Sequence, residues 1–399
     1  MAQTNPIAST HMKNPEFDPI KDKIDGLAHL IREYADISDS QRHLSNEVAM
    51  AMANEGLYRI AAPRSVGGGE YHPTTQIQTI EAVSRLDGAT GWNLMIGVEV
   101  MGILGAVFPR EVVQKLFADP DLIIAGALNP LGHAVRTDGG FRVTGQWPFA
   151  SGVHNASYFW GQSIVFENDD RVTDEMGPVT CESLIARDEF DIIDTWQVSG
   201  LRGSGSHDVS VSDVFVPDER ISSVARNPLQ EDGTLYRLPL HSRLAYNKVG
   251  VATGITRAAI DHFMDLAMDK TPRGTAGKLR ERVDAQLAVA EAEYLLETAR
   301  SYVFDRVSDI WDTVDQGDPP TTRQKALLQL ACSGAASTAV KAVEKIVAAA
   351  GATANFTSSP LERCMRDVLV VRQHIMVSPQ FKENIGRALL GLESGTFLF

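Results

Sequence analysis

Apolar positions recur at three- and four-residue steps from about residue 18 to 118, where Ile24, Leu27, Ile31 and Tyr34 open the pattern and Val48, Met52 and Leu57 continue it. That periodicity predicts helices. Within this quarter a strongly apolar run over 94–108 is too short to span a bilayer and predicts a buried helix. Around residue 122 the texture changes. Ile123-Ile-Ala-Gly-Ala-Leu-Asn129, Phe141-Arg-Val-Thr144, Tyr158-Phe-Trp-Gly-Gln-Ser-Ile-Val-Phe166 and Ser210-Val-Ser-Asp-Val-Phe-Val216 are short, β-branched or alternating, with glycine and proline between them. They predict a β-domain. Helical periodicity then returns in four alanine-rich segments, 244–269, 279–314, 322–350 and 361–392, joined by breaks such as Gly317-Asp-Pro-Pro320. These predict a four-helix bundle. The fold class is therefore α+β in three parts: an N-terminal helical domain over 18–121, a central β-barrel or sandwich over 122–238, and the bundle over 239–399.

Composition narrows the function. The chain of 399 residues is 44% hydrophobic and 22% charged, ordinary for a globular protein with large cores, and carries a net charge of -14. That charge repels nucleic-acid phosphates and anionic membrane, and no basic cluster with interleaved aromatics reverses it locally, so neither is expected as a partner. Cys181, Cys332 and Cys364 are odd in number and widely spaced, which signals neither a disulfide framework nor a zinc site. Residues 1–19 are polar and proline-containing, unlike a secretory leader, and Thr10-His-Met12 is set aside with them. A cytoplasmic protein is expected.

Chemistry concentrates in Gly145-Gln-Trp-Pro-Phe-Ala-Ser-Gly-Val-His154. On a period-two strand Trp147, Phe149 and Ser151 would share one face, flat and apolar with a hydroxyl at its end, which suits a planar heterocycle. The same pattern equally describes an inner sheet face packed on a core. Trp196-Gln-Val-Ser-Gly-Leu-Arg-Gly-Ser-Gly-Ser-His-Asp208 is dense in glycine and serine and suits tight turns near a ligand. Ala61-Ala-Pro-Arg-Ser-Val-Gly-Gly-Gly69 lacks the spacing of a dinucleotide fingerprint, so nicotinamide binding is not expected.

Helices, a β-domain and a bundle in this order, with Gly200-Leu-Arg-Gly-Ser-Gly-Ser206 leading into Val211-Ser-Asp-Val-Phe-Val-Pro217, resemble the acyl-CoA dehydrogenase fold over nearly the whole chain. More closely, Trp147-Pro-Phe-Ala-Ser-Gly152 and Ser359-Pro-Leu-Glu-Arg-Cys-Met-Arg-Asp367 followed by Gln373-His374 resemble its oxygenase branch, the two-component flavin-dependent monooxygenases similar to 4-hydroxyphenylacetate hydroxylase and dibenzothiophene monooxygenase. The resemblance implies reduced FMN or FAD from a separate flavin reductase, O2 as co-substrate, a flavin C4a-hydroperoxide, and oxygenation of a small aromatic. It implies Ser151 near flavin N5 and His374, on the last bundle helix, on the oxygen side as catalytic residues. Asn129, Trp147, Phe149 and Trp196 are implied as walls of the flavin site. Arg273, Gly351 and Ala352 are implied to bind its phosphate from a neighbouring subunit of a homotetramer. Trp92, His154 and Phe356 are implied to line the substrate pocket, and no metal is implied.

The departures bear on the alternative, an FAD-holding acyl-CoA dehydrogenase or oxidase. Such an enzyme needs a carboxylate to remove an α-proton, and the positions matched to it hold Phe356, seven residues before Arg363, and Ser242, before Arg243-Leu244. Neither side chain is a general base near neutral pH. A flavin-binding scaffold without catalysis is the third reading.

Overall fold

The computed structural model describes residues 14–168 and 170–396; Thr10-His-Met12 lies outside them. Five helices come first: α1 (Asp18–Gln41), α2 (Asn46–Asn54), α3 (Pro73–Leu86), α4 (Gly88–Val107) and α5 (Arg110–Phe117). Their burial follows the periodicity, with Ile20, Ile24, Ile31 and Ala35 on the inner face of α1. Asp87 starts α4 by accepting the Thr90 amide at 2.8 Å, which satisfies one of the donors every helix start leaves open. Every residue of α4 except Ile96 is buried. A helix apolar all round belongs in a core. α4 and the later α9 (Thr322–Ala350) are long and apolar enough to cross a membrane, and most of each is packed inside the protein.

The β-domain is built from β1 (Ile124–Thr137), β2 (Gly140–Trp147), β3 (Tyr158–Glu167), three two-residue strands β4 (Asp170–Arg171), β5 (Thr173–Asp174) and β6 (Gly177–Pro178), then β7 (Thr180–Ala186), β8 (Asp191–Ile193), β9 (Asp208–Pro217) and β10 (Ile221–Ser222). The order is β10-β7-β3-β1-β2-β9-β8, with β4 beside β3, and β5 and β6 pairing separately. β1 runs parallel to β3 and antiparallel to β2, with a register shift between Ala127 and Gly132.

Trp147 occupies the middle of this domain's core, fully buried with Val143, Phe159 and Val209. Its indole lies in a trough of glycines, because a Cβ at Gly132, Gly145 or Gly161 would stand 2.2, 2.8 or 3.2 Å from the ring. Its Nε1–H donates to the Gln162 carbonyl at 2.6 Å. The Gly132→Ala variant should therefore lose about 1–3 kcal/mol by overpacking. Thermal unfolding would show a lowered midpoint, and an unchanged midpoint would mean the trough has slack.

The bundle follows a short α6 (Thr234–Arg237): α7 (Leu240–Asp269), α8 (Val283–Asp315), α9 and α10 (Pro360–Gln373), with α11 (Lys382–Leu389) after it. One hydrophobic core joins the N-terminal helices to the bundle. α3 lies close along α7, where Cβ atoms at Gly250 and Gly254 would fall 2.7 and 2.5 Å from the carbonyls of Ile77 and Glu81. The small residues of α9, Ala331, Ala335, Ala336 and Ala339 among them, are buried within the chain itself. The expected single last helix over 361–392 is corrected: it breaks at His374, whose ψ of 133° is extended, and only short turns connect it to α11. Pro379 helps enforce that break.

Candidate functional site

β2 ends at Trp147, and the chain turns sharply through Phe149, whose φ of 63° is left-handed, and Gly152 at 78°. Period-two alternation stops with the strand, so the expected shared face is corrected. Trp147 points into the core of the β-domain and is not a wall of an open site, Phe149 is 67% exposed, and Ser151 is buried on the side of α4. The turn is stitched to the glycine-serine loop, with the Ala150 amide donating to His207 O at 2.9 Å and that of Gly152 to Ser204 O at 3.0 Å.

Ser151 Oγ accepts the Trp92 Nε1–H at 3.0 Å and lies 2.7 Å from Ser206 Oγ, which is itself 2.7 Å from Ser204 Oγ. The Trp92 ring meets the His374 ring edge-on, with centroids 5.5 Å apart. Trp92 therefore bridges the two residues singled out as catalytic. His374, half-buried, caps the turn after α10, where its Nδ1 accepts the Met376 amide at 3.2 Å. A ring that accepts at Nδ1 carries its proton on Nε2 when neutral. Burial, with Lys248 adding to it, pushes His374 well below its ordinary pKa, so the neutral form prevails near pH 7.

The loop over 196–207 is held by α10 and by the end of α1, where Arg42 Nη1 donates to Trp196 O at 3.4 Å. The Leu201 amide donates to Asp367 Oδ1 of α10 at 2.6 Å, Gly200 lies so close that a Cβ would meet Arg366 O at 2.1 Å, and Arg42 at the end of α1 forms a bidentate pair with Asp194. Trp196 is half-buried, donates from Nε1 to Leu201 O at 3.0 Å, and stands at right angles to Phe149 with centroids 6.2 Å apart. Asn129 is exposed at the irregular stretch of β1.

His154 does not turn toward His374. It stacks on His43 at 4.2 Å and meets His207 edge-on at 5.0 Å, joining the β-domain to the end of α1. Burial and the neighbouring His43 and His207 push its pKa down to about 4. A base that binds fewer protons folded than unfolded contributes stability above its unfolded value near 6.5, and that contribution is lost as pH falls from there through about 4. Urea midpoints of the wild type should accordingly fall more steeply between pH 7 and 5 than those of His154→Phe. Equal slopes would contradict this assignment.

Phe356 is 65% exposed and lines a shallow recess with His262, Leu266 and Thr353, at the opposite end of α10 from His374. Fourteen helical residues, roughly 20 Å, separate those ends, so Phe356 is corrected from substrate-pocket wall to remote surface residue. Ser242 sits near the start of α7, far from His262 on the same helix, so the two positions matched to a dehydrogenase base do not converge. Arg273 and the residues Gly351 and Ala352 are exposed. Their segments are tied together by Lys270, whose Nζ donates to Ala350 O at 2.6 Å and to Thr353 Oγ1 at 2.7 Å.

A cavity of about 880 Å³ forms a cleft between α1, α3, α7, α8 and α10 that none of Ser151, Trp92 and His374 lines. Its charged walls largely pair with one another, as Arg85 with Asp261 and Arg300 with Glu81. A void of about 10 Å³ under Ser151 collects Asn93 and Asn155, whose Oδ1 atoms have no protein partner. Sequence reasoning missed Ser204 and Ser206 as individual members of the hydroxyl chain. It also missed the pair of Lys248 and Glu99 beside His374, since two charges inside apolar helices give no periodic signal.

The family described as acyl-CoA dehydrogenase, C-terminal domain matches residues 247–379. Indole-3-acetate monooxygenase of Pseudomonas putida is 31% identical over 385 residues, spanning 96% of this chain and 95% of that protein. The flavin-dependent monooxygenase oxygenase subunit HsaA of Mycobacterium tuberculosis is 29% identical, over 90% of this chain and 91% of that one. A crystal structure of the M. tuberculosis HsaA monooxygenase superposes with a TM-score of 0.83 at 25% identity, over 95% of this chain and 99% of that one. XiaF from Streptomyces, solved with FADH2 and glycerol, shares the fold with a TM-score of 0.86 at 20% identity, over 95% and 96% of the two chains.

Proposed function

The chain belongs to the flavin-dependent monooxygenases built on the acyl-CoA dehydrogenase fold, as an oxygenase component using reduced flavin and O2, and within that family we propose that it oxygenates a small planar aromatic at the Ser151, Trp92 and His374 site. The observation that carries the proposal is the bridge made by Trp92, which couples a buried hydroxyl to a neutral imidazole through one rigid indole.

The residues fit a flavin. Ser151 Oγ already accepts from Trp92, so its own proton is free for a ring atom or for Ser206. Phe149, exposed in a left-handed turn, and the half-buried Trp196 offer an aromatic surface next to it. Exposed Asn129 supplies an amide. In this reading Ser151 holds the ring, Phe149 and Trp196 flank it, and reduced flavin supplies the two electrons that activate O2. His374 keeps a proton on Nε2 and donates it as a hydrogen bond, while its environment resists the imidazolium. Trp92 fixes the separation of these two groups and excludes water between them.

Arg273, Gly351 and Ala352 would hold the flavin phosphate of a neighbouring subunit in a homotetramer. Val283, Leu287 and Tyr294 on α8 are 68%, 56% and 71% exposed, an apolar face that a second copy of the chain would cover. The Arg273→Ala variant should lower reduced-flavin affinity about tenfold by losing one charge-assisted contact. Anaerobic fluorescence titration checks this, and unchanged affinity would remove the phosphate assignment.

Electrons come from a separate flavin reductase, and the protein acts in the cytoplasm. For the substrate, indole-3-acetate is the first compound to try, given the relative named for it. Turnover with chemically reduced FAD or FMN in air, followed by mass spectrometry over a panel of indoles and phenols, should show a product heavier by one oxygen. If every aromatic fails while an aliphatic amine or sugar is oxygenated, the substrate class is wrong. A dehydrogenase reading finds no support in the buried carboxylates nearby, because Glu99 is engaged by Lys248 and Asp367 by the Leu201 amide.

A further inference from the structure

The loop over 270–282 holds five basic residues, Lys270, Arg273, Lys278, Arg280 and Arg282, against one acidic residue, Glu281, in a chain whose net charge is -14. It is locally cationic. The loop lies where two helices end, since α7 stops at Asp269 and α9 at Ala350, and the segments on either side are joined by Lys270. The carbonyls at a helix C-terminus carry partial negative charge, which repels an anion unless a cation offsets it. Neither helix has a basic residue in its own last turn. The loop supplies one to each. Lys278 Nζ donates to Asp269 O at 2.6 Å, and Lys270 Nζ donates to Ala350 O at 2.6 Å and to Thr353 Oγ1 at 2.7 Å. Lys270 thereby ties the loop to the turn that leaves α9 through Gly351, whose φ is 64°. Both of its acceptors are uncharged, and no carboxylate among the described residues pairs with Lys270 or with Arg273.

Resting on the flavin-phosphate assignment made above, we propose that Lys270 is a positioning residue for that phosphate, without which the end of α9 would meet the anion with the wrong sign. Arg273 belongs to one segment and Gly351 and Ala352 to another, and the contacts of Lys270 hold the two side by side. The geometry and the charge come from one side chain. Because its acceptors are neutral, the ammonium keeps its full charge, and the potential around Arg273 stays positive although two helix C-termini converge there. Two of the three Nζ–H donors are spent on the protein, and the third is left for an oxygen of the anion. A neutral amide in place of Lys270 could keep the tie to Ala350 O but not the charge. The two contributions therefore separate by substitution.

The test uses the full-length protein and anaerobic fluorescence titration with reduced FMN, reduced FAD and reduced riboflavin, which has the same ring system and no phosphate. Wild type should bind the phosphorylated flavins more tightly. In Lys270→Met the affinity for reduced FMN and FAD should fall about tenfold, as for one lost charge-assisted contact, while that for riboflavin keeps its wild-type value. Lys270→Gln, which leaves a donor for Ala350 O, should show the same selective loss even where Lys270→Met fails to fold. Lys270→Arg retains the charge and should retain the preference for a phosphate. Equal losses for riboflavin and the phosphorylated flavins, or no loss at all, make Lys270 a structural cap alone and overturn the proposal. Arg273→Ala, titrated in the same way, keeps the two assignments apart. If it weakens FMN and FAD selectively and the Lys270 variants do not, only the role of Lys270 falls, whereas a wild type that binds riboflavin as tightly as FMN and FAD removes the phosphate assignment and this proposal with it.

Discussion

Alanine at His374 is expected to lower the rate of coupled oxygenation by about 10²-fold or more while leaving the fold in place. The neutral imidazole presents a hydrogen-bond donor at Nε2, because the Met376 amide occupies Nδ1 and so presets which nitrogen carries the proton. Loss of the ring removes that donor and the edge contact with Trp92. It also frees the Met376 amide, a cost of about 1 kcal/mol, but the turn remains anchored because Gln329 donates to Met376 O at 2.8 Å. Single-turnover experiments with saturating reduced flavin separate the effects. Product formation should slow while flavin affinity changes little. A wild-type rate with unchanged coupling would remove His374 from the chemistry, and a large loss of flavin affinity would make it a binding residue instead.

Removing the Ser151 hydroxyl should act differently, by uncoupling. In Ser151→Ala the buried Trp92 Nε1–H loses its acceptor and Ser206 loses a partner, which costs about 1–3 kcal/mol of stability. If Ser151 also holds the flavin ring, the fraction of reduced flavin that ends as hydrogen peroxide rather than product should rise several-fold. Ser206→Ala is the control, because it disturbs the same hydroxyl chain one step away from the ring. It should lower the unfolding midpoint with little change in peroxide yield. Equal peroxide yields from Ser151→Ala, Ser206→Ala and wild type would reduce Ser151 to a structural role.

The three-part layout was legible because helix and strand periods differ and because glycine and proline punctuate the changes. Side-chain direction at the site was less so. Alternation placed Trp147 and Ser151 on one face, yet the left-handed residue Phe149 lies between them and sends them to opposite environments. No hydrophobic pattern encodes a positive φ at phenylalanine; it is held by the hydrogen bonds that the Ala150 and Gly152 amides donate to the 204–207 loop. His374 was identified by resemblance, but its setting was read as helical, and the structure makes it the residue that ends α10. His154 is spoken for by His43 and His207, partners far away in sequence that no local pattern could supply. Phe356 illustrates the limit of spacing arguments, since counting back from Arg363 placed it in a site from which a whole helix separates it.

The most direct test of the central claim is isotope incorporation. Protein supplied with chemically reduced flavin, 18O2 and an aromatic substrate from the panel should yield product carrying one labelled oxygen atom, with no nicotinamide and no reductase in the mixture. The contrary result is unlabelled product, or a protein that holds oxidised FAD tightly and bleaches it with an acyl thioester while no label enters any product.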